Sequence, residues 1–306
     1  MSFDTPVLFI VFNRPEPTQR VFNAIREARP TQLYIAADGP RPHVANDQDN
    51  CRQVKEIVTQ VDWDCQIYTL FRDQNLGCMH ACTQAIDWFF DQVDEGIILE
   101  DDCLPSTSFF PYCQALLDRY RHDTRVVHIN GNNYNTKQMR NTDYSYHFVY
   151  FPQVWGWATW KRAWKRLDIK IRLLPDFNDY SYFKHVGLSK REYLSMRIRW
   201  WKVYRGEITN VWDYQWHFIN FLEGCFVIAP KHNLISNIGF DKDATHTQGR
   251  DLLKENLPLS TMDFPLNHPP CLFVDTLLNN SYKALMTPGK LTTKIKRKLV
   301  SLSSNM

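Results

Sequence analysis

Ile97-Ile98-Leu99-Glu100-Asp101-Asp102 decides the fold. Three apolar residues run straight into three carboxylates, with Gly96 in front. A short, unbroken apolar run suits a strand covered on both faces. Like charges at its end are unfavourable unless a cation or hydrogen-bond donors stabilise them. A buried strand that delivers carboxylates to its carboxyl end is the layout of an open α/β sheet, whose ligands bind in the crevice beyond the strand ends. Taken alone, the triplet also reads as a solvated acidic turn, or as an N-terminal cap for a helix beginning at Phe109.

Strand and helix patterns alternate upstream of the triplet. Residues 6–12 are a continuous apolar strand, 18–28 an amphipathic helix and 33–37 a second strand ending in Asp38-Gly39-Pro40-Arg41. A helix over about 49–61, a strand at 66–71 and a helix at 78–93 follow, with the fourth strand at 97–99. The βαβαβαβ order predicts α/β architecture, with a mostly parallel, Rossmann-like sheet flanked by helices and joined by right-handed crossovers. Polar loops follow all four strands, two of them with a glycine: Asn13-Arg14-Pro15, Asp38 to Arg41, Arg72 to Gly77, and Glu100 to Asp102.

Downstream, 109–121 reads as a helix and 126–129 as a short strand. Residues 148–236 are rich in Trp, Tyr, Phe and Arg, with helices near 189–205 and 213–222 and a strand at 226–228. With no Gly/Ser linker and no repeat, residues 1–289 are expected to form one domain. About 1–105 would be the nucleotide-binding half and about 106–250 an aromatic-rich sugar and acceptor lobe. Residues 290–306 would be a basic tail.

The 306 residues carry a net charge of +3. Lys290, Lys294, Lys296, Arg297 and Lys298 supply +5 without an acidic residue, leaving residues 1–289 near −2. The body is therefore not a nucleic-acid surface by charge. The tail suits peripheral contact with an anionic membrane as well as it suits a solvated end. No secretory signal or membrane-spanning run is apparent, so a cytoplasmic enzyme, peripheral at the inner membrane face, is expected. Eight scattered cysteines fit reduced thiols rather than a disulfide framework.

Individual motifs suggest roles. A hard divalent ion, Mn²⁺ or Mg²⁺, bound through one or two carboxylates and phosphate oxygens would offset the charge of the acidic triplet. Asp38 stands where a base or ribose would meet it, and Arg14 suits phosphate. Asn75-Leu76-Gly77 opens a helix N-terminus, which favours an anion. Trp155-Gly156-Trp157-Ala158-Thr159-Trp160 is either a core wedge with a bulge or a stacking wall for a sugar. Asp213, between Trp212 and Tyr214, is a poorly solvated base, a helix cap, or both. His246 sits in a polar loop with Gly239, where it is either structural or a phosphate or metal contact.

In order along the chain, these blocks resemble the N-acetylglucosaminyltransferase I family of GT-A glycosyltransferases. They comprise Pro6-Val7-Leu8 through Asn13-Arg14, Glu100-Asp101-Asp102 with Phe109-Phe110, Phe151-Pro152 through Gly156-Trp157, Trp164, Trp212-Asp213, Ile235-Ser236 and Thr245-His246. Bacterial sugar-nucleotide transferases look closer still at Ser236-Asn237-Ile238-Gly239-Phe240 and Ala244-Thr245-His246-Thr247. The resemblance spans roughly residues 5–250. It implies that Asp102 ligates Mn²⁺, that Asp101 meets ribose and Glu100 the sugar, and that Arg14 and Asp38 contact the donor nucleotide. It further implies that Asp213 is the catalytic base and that His246 lies in a loop closing over the donor. Tyr214 departs from the family, which has a second acidic residue there.

The expected activity is metal-dependent, inverting transfer of a sugar to a hydroxyl acceptor. The donor would be a nucleoside-diphosphate sugar, with UDP favoured by the resemblance alone. The acceptor would be a glycan or glycolipid of bacterial surface polysaccharide biosynthesis. Asn13, Gly39 and Gly77 join the donor-binding set, and Gly156, Trp157 and Trp212 the sugar and acceptor pocket. Two other readings remain open. A sugar-phosphate nucleotidyltransferase would want a Gly-rich phosphate loop with a Lys after the first strand, and Asn13-Arg14-Pro15 does not supply it. A non-catalytic sugar- or nucleotide-binding module would keep the aromatics without the metal.

Overall fold

The protein is described by a computed structural model covering residues 3–134, 136–239 and 256–286. His246 and the basic tail lie outside the described residues.

A single eight-stranded sheet takes strands from both halves of the chain. The first half supplies β1 (Val7–Val11), β2 (Gln32–Ala37), β3 (Gln66–Phe71) and β4 (Glu95–Glu100). Next come the short β5 (Cys103–Pro105), then β6 (Val126–Asn130), β7 (Tyr146–Val149), β8 (Trp157–Trp160) and β9 (Phe226–Pro230). The strand order is β3-β2-β1-β4-β8-β6-β9-β7, with β8 and β7 reversed against the other six. The sheet is thus mostly parallel, as the βαβ pattern demands, and antiparallel pairing enters only in the second half. β10 (Ile235–Asn237) pairs antiparallel with β5 and forms a separate two-stranded ribbon.

Strand pleating distributes the core between two layers. Val7, Phe9 and Val11 of β1 face α1 (Pro15–Ala28), α2 (Asp47–Val58) and α4 (Phe109–Tyr120). Leu8 and Ile10 face α3 (Cys78–Gln92), α5 (Lys161–Trp164) and α7 (Asp213–Glu223). A third apolar cluster gathers the 3-10 helix Tyr180–Val186, α6 (Lys190–Tyr204) and α8 (Thr276–Met286) against β7 and β9. The expected mostly parallel α/β sheet flanked by helices is what the structure has.

Several boundaries differ from the sequence expectation, for identifiable reasons. α1 starts at Pro15, three residues early, because proline's fixed φ suits the first helical position. β4 starts at Glu95 and contains Gly96 rather than following it; a Cβ there would lie 2.3 Å from the Phe89 ring. The acidic triplet does not cap the helix at Phe109: β5 intervenes, and Ser108 is the N-cap residue. Trp157 to Trp160 form a regular, fully covered strand. All eight cysteines are free thiols. Among the described residues, no helix is long and apolar enough to cross a membrane.

Candidate functional site

From β1 the chain winds outward through β2 and β3, then returns to place β4 on the other side of β1. The carboxyl ends of β1 and β4 are therefore neighbours at a switch point, where an open α/β sheet leaves a crevice. Only Phe12 to Arg14 separate β1 from α1. This short connection turns Arg14 toward β4, where its Nη2 donates to Asp101 and, at 2.9 Å, to Asp102 Oδ2. The Phe12 N–H donates to Asp101 Oδ2 at 3.3 Å. Burial alone would lower the pKa of Arg14, but the two carboxylates outweigh it and raise the pKa, so the guanidinium stays charged.

The triplet is not fully neutralised by this contact. Arg14 meets two of the three carboxylates, and desolvation followed by the neighbouring acids pushes the Glu100 carboxyl up. Asp101 is also pushed up by desolvation, against the opposing pull of Arg14. Asp102 Oδ1 accepts from the Cys103 thiol at 3.4 Å. Such an all-oxygen donor set suits a hard cation. Among the described residues, no three His, Cys, Asp or Glu side chains converge on one ion. A metal held by Asp102 would accordingly draw its remaining ligands from phosphate and water.

The wall beside β2 is built by hydrogen bonds. Asp38 accepts from the Gly39 N–H (3.0 Å), the Leu76 N–H (3.0 Å) and Asn75 Nδ2 (2.9 Å). Asn75 Nδ2 also donates to the Gly39 carbonyl. Asp38 thus pins the β3–α3 loop to the β2 turn, a role the sequence did not reveal. A Cβ on Gly39 would come within 2.5 Å of the Gln74 backbone, so glycine permits this close approach. Gly77 takes φ 75° as the residue capping α3. Asn13 Nδ2 donates to Asp47 Oδ1 at 2.7 Å, and Arg41 Nε donates to Asp47 Oδ2 at 2.6 Å. Asp47 and Arg41 were missed as a structural pair; the one available signal was Arg41 in the turn after β2.

Arg14, Asp38, Asn75, Gly77, Glu100, Asp101, Asp102, Trp212 and Asp213 border one cleft of about 420 Å³. Asp213 enters it from the second half of the chain, as the first residue of α7; Trp212 is the N-cap residue, so Asp213 is not the cap. The segment after β10 passes against Asp102: the Ile238 N–H donates to the Asp102 carbonyl at 2.9 Å. A Cβ on Gly239 would lie 2.2 Å from Asp102 Oδ2. A larger, more open hollow of about 600 Å³ outside α2 is lined by Arg52, Lys55 and Glu56, away from the carboxylates.

Two expectations for the pocket wall are corrected. Trp157 is fully buried and presents no face to a ligand. It stacks on His128 at 4.7 Å and packs with Trp164, Trp212 and Trp216 as core beneath the cleft. Gly156, with φ 57°, gives way to the Ile235 side chain rather than to a sugar. The side chains that do reach the wall are Val154 and Trp155. Asn237, from the block Ser236 to Phe240, also lines the cleft, as do Asn210 and Val211, which nothing in the sequence marked.

No protein-family model matches the chain, and no curated protein matches it. Among solved structures it is similar to UDP-glucose pyrophosphorylase complexed with UDP-glucose, at 10% identity and a TM-score of 0.38, over 74% of this chain and 90% of that one. Apo UDP-glucose pyrophosphorylase gives 8% identity and a TM-score of 0.38, over 76% and 93%. HddC from Yersinia pseudotuberculosis gives 8% and 0.31, over 51% and 77%.

Proposed function

We propose that the cleft binds a nucleoside-diphosphate sugar and that the protein transfers the sugar to a hydroxyl acceptor. The observation that carries this reading is the meeting of two carboxylate groups in one cleft. Asp101 and Asp102 stand at the switch point with Arg14, and Asp213 stands on α7, outside the triplet. Asp102 would hold Mn²⁺ or Mg²⁺ together with diphosphate oxygens. When bound, the ion would supply electrostatic stabilisation of the leaving diphosphate. Arg14 orients Asp101 and Asp102. Asp213 accepts the proton of the attacking hydroxyl, and the new glycosidic bond forms at the anomeric carbon as its bond to the diphosphate oxygen breaks, with inversion. The Trp155 and Trp212 side of the cleft borders the sugar. UDP as the nucleotide, and a glycan or glycolipid acceptor of bacterial surface polysaccharide, rest on the family resemblance. His246 belongs to this reading only through the same resemblance.

The second reading is nucleotidyl transfer to a sugar phosphate, the chemistry of the enzyme named in two of the similar structures. An acidic cleft that suits a divalent ion serves that reaction as well. Against it stands the three-residue β1–α1 connection, which has no room for a Gly-rich phosphate loop. Product analysis separates the two. UDP-sugar with Mn²⁺ should be slowly hydrolysed to free sugar and UDP. Formation of UTP from UDP-sugar and pyrophosphate would replace the transferase reading with the nucleotidyltransferase one.

A further inference from the structure

The strongest unassigned surface is the outer face of α6 (Lys190–Tyr204). Its inner face is ordinary core: Tyr193, Met196, Trp200 and Val203 are buried. The outer face is unusual. Leu194 and Ile198 are 44% and 58% exposed, while Trp201 beside them is half-buried, packed on the core edge with its indole Nε1 donating to Asn178 Oδ1 at 3.0 Å. Their spacing of four and then three residues puts them in one stripe. Lys190, Arg191, Lys202 and Arg205, all exposed, surround that stripe. Glu192 is turned away, bonded to Ser189 in a capping box and 3.5 Å from Lys283. Glu207, beyond the helix, pairs with Arg205 at 2.6 Å.

We infer that α6 is an interfacial helix that seats the protein on an anionic lipid surface. Scattered exposed apolar residues need no explanation, but two exposed aliphatic side chains one turn apart, flanked by a partly buried indole and ringed by cations, do. The Leu194 and Ile198 side chains enter the acyl boundary, while Lys and Arg stems reach back to the headgroups. Anionic headgroups meet the charge of the ring. A second copy of the chain fits less well, because a two-fold contact through this stripe would face like charges against each other. The segment after Arg205 leads to Asn210 and Val211, which line the cleft. The inference stands on α6 alone and does not depend on the reaction.

The test is flotation of the full-length chain with vesicles of phosphatidylcholine, or of phosphatidylcholine mixed with phosphatidylglycerol. Binding is expected only to the anionic vesicles, weakening as salt rises. Leu194→Ser with Ile198→Ser should lower the partition coefficient by about tenfold or more at unchanged thermal midpoint. Lys202→Glu, which leaves the apolar stripe intact, is the second variant and should also weaken binding. Failure of the wild type to float would overturn the inference, as would undiminished binding of the variants, which is what attachment through the basic tail alone would give. A lipid-independent dimer in light scattering that Ile198→Ser dissociates would assign the face to a second copy instead.

Discussion

Arg14 Nη2 donates to Asp102 Oδ2 at 2.9 Å, joining the carboxyl ends of the adjacent parallel strands β1 and β4 at the point where the sheet reverses its winding. The same guanidinium holds Asp101, whose side chain is almost fully buried. One cation therefore keeps the acidic triplet compact, and its removal leaves buried carboxylates without a counter-charge.

Arg14→Met should accordingly destabilise the fold by about 2–4 kcal/mol, below the full cost of breaking a buried pair because Arg14 is partly exposed. Adding Asp101→Asn should recover part of the loss, since the stranded charge goes with it. Urea unfolding of the two single variants and the double gives the coupling. Additive effects would mean that the contact carries no stability.

Asp38 is expected to act on stability more than on recognition. Its carboxylate accepts from two backbone N–H groups and from Asn75 Nδ2. Asp38→Asn puts an amide donor against those donors and should cost about 1–3 kcal/mol. A thermal melt at unchanged midpoint would contradict the pinning role of this residue.

His128 predicts an acid-labile core. Its Nδ1 accepts from Trp216 Nε1–H at 3.2 Å and its Nε2 meets the Gln153 carbonyl at 2.9 Å, so the neutral ring satisfies both partners and a second proton has no place. Burial lowers its pKa to about 3. The unfolded chain takes up that proton near pH 6.5 and the folded chain does not, so the stability is complete above 6.5 and is lost as pH falls toward 3. The loss should approach about 1.4 kcal/mol per pH unit for this ring. Burial lowers His217 and His147 as well, which steepens the slope. Urea midpoints between pH 7 and 5 measure it, and His128→Gln should remove one proton's worth. Equal slopes for wild type and variant would show that His128 titrates normally.

The sequence made the first half legible because β1, β2 and β4 are unbroken apolar runs whose ends carry the polar loops. It located Arg14, Asp38, Glu100, Asp101, Asp102, Trp212 and Asp213, which share the cleft. The second half was harder to read. Trp155 and Trp157 are alike in composition, but Trp157 opens β8 and is buried, while Trp155 lies outside the strand, before the left-handed Gly156 at φ 57°, and reaches the wall. Asp47 meets Asn13 across 34 positions, a contact no local pattern encodes. Gly239 looked like a loop residue, whereas its lack of a Cβ is what lets the chain pass over Asp102.

Asp213→Asn separates catalysis from helix stability. As a first-turn residue of α7, Asp213 contributes at most about 1 kcal/mol through the helix dipole. As the base, it is worth about 10²–10⁴ in rate. The variant should melt within a few degrees of the wild type, bind the donor normally and lose transfer by orders of magnitude. Near-normal transfer would remove Asp213 from the reaction.

Isothermal calorimetry of UDP with and without Mn²⁺, on the wild type and on Asp102→Asn, bears on the whole proposal. The wild type should bind UDP tightly only when Mn²⁺ is present, and Asp102→Asn should keep its thermal midpoint while losing that metal-dependent gain. Equal UDP affinity in the wild type with and without Mn²⁺, or an Asp102→Asn variant that responds to the metal as the wild type does, would contradict a metal-assisted nucleotide-sugar site at Asp102.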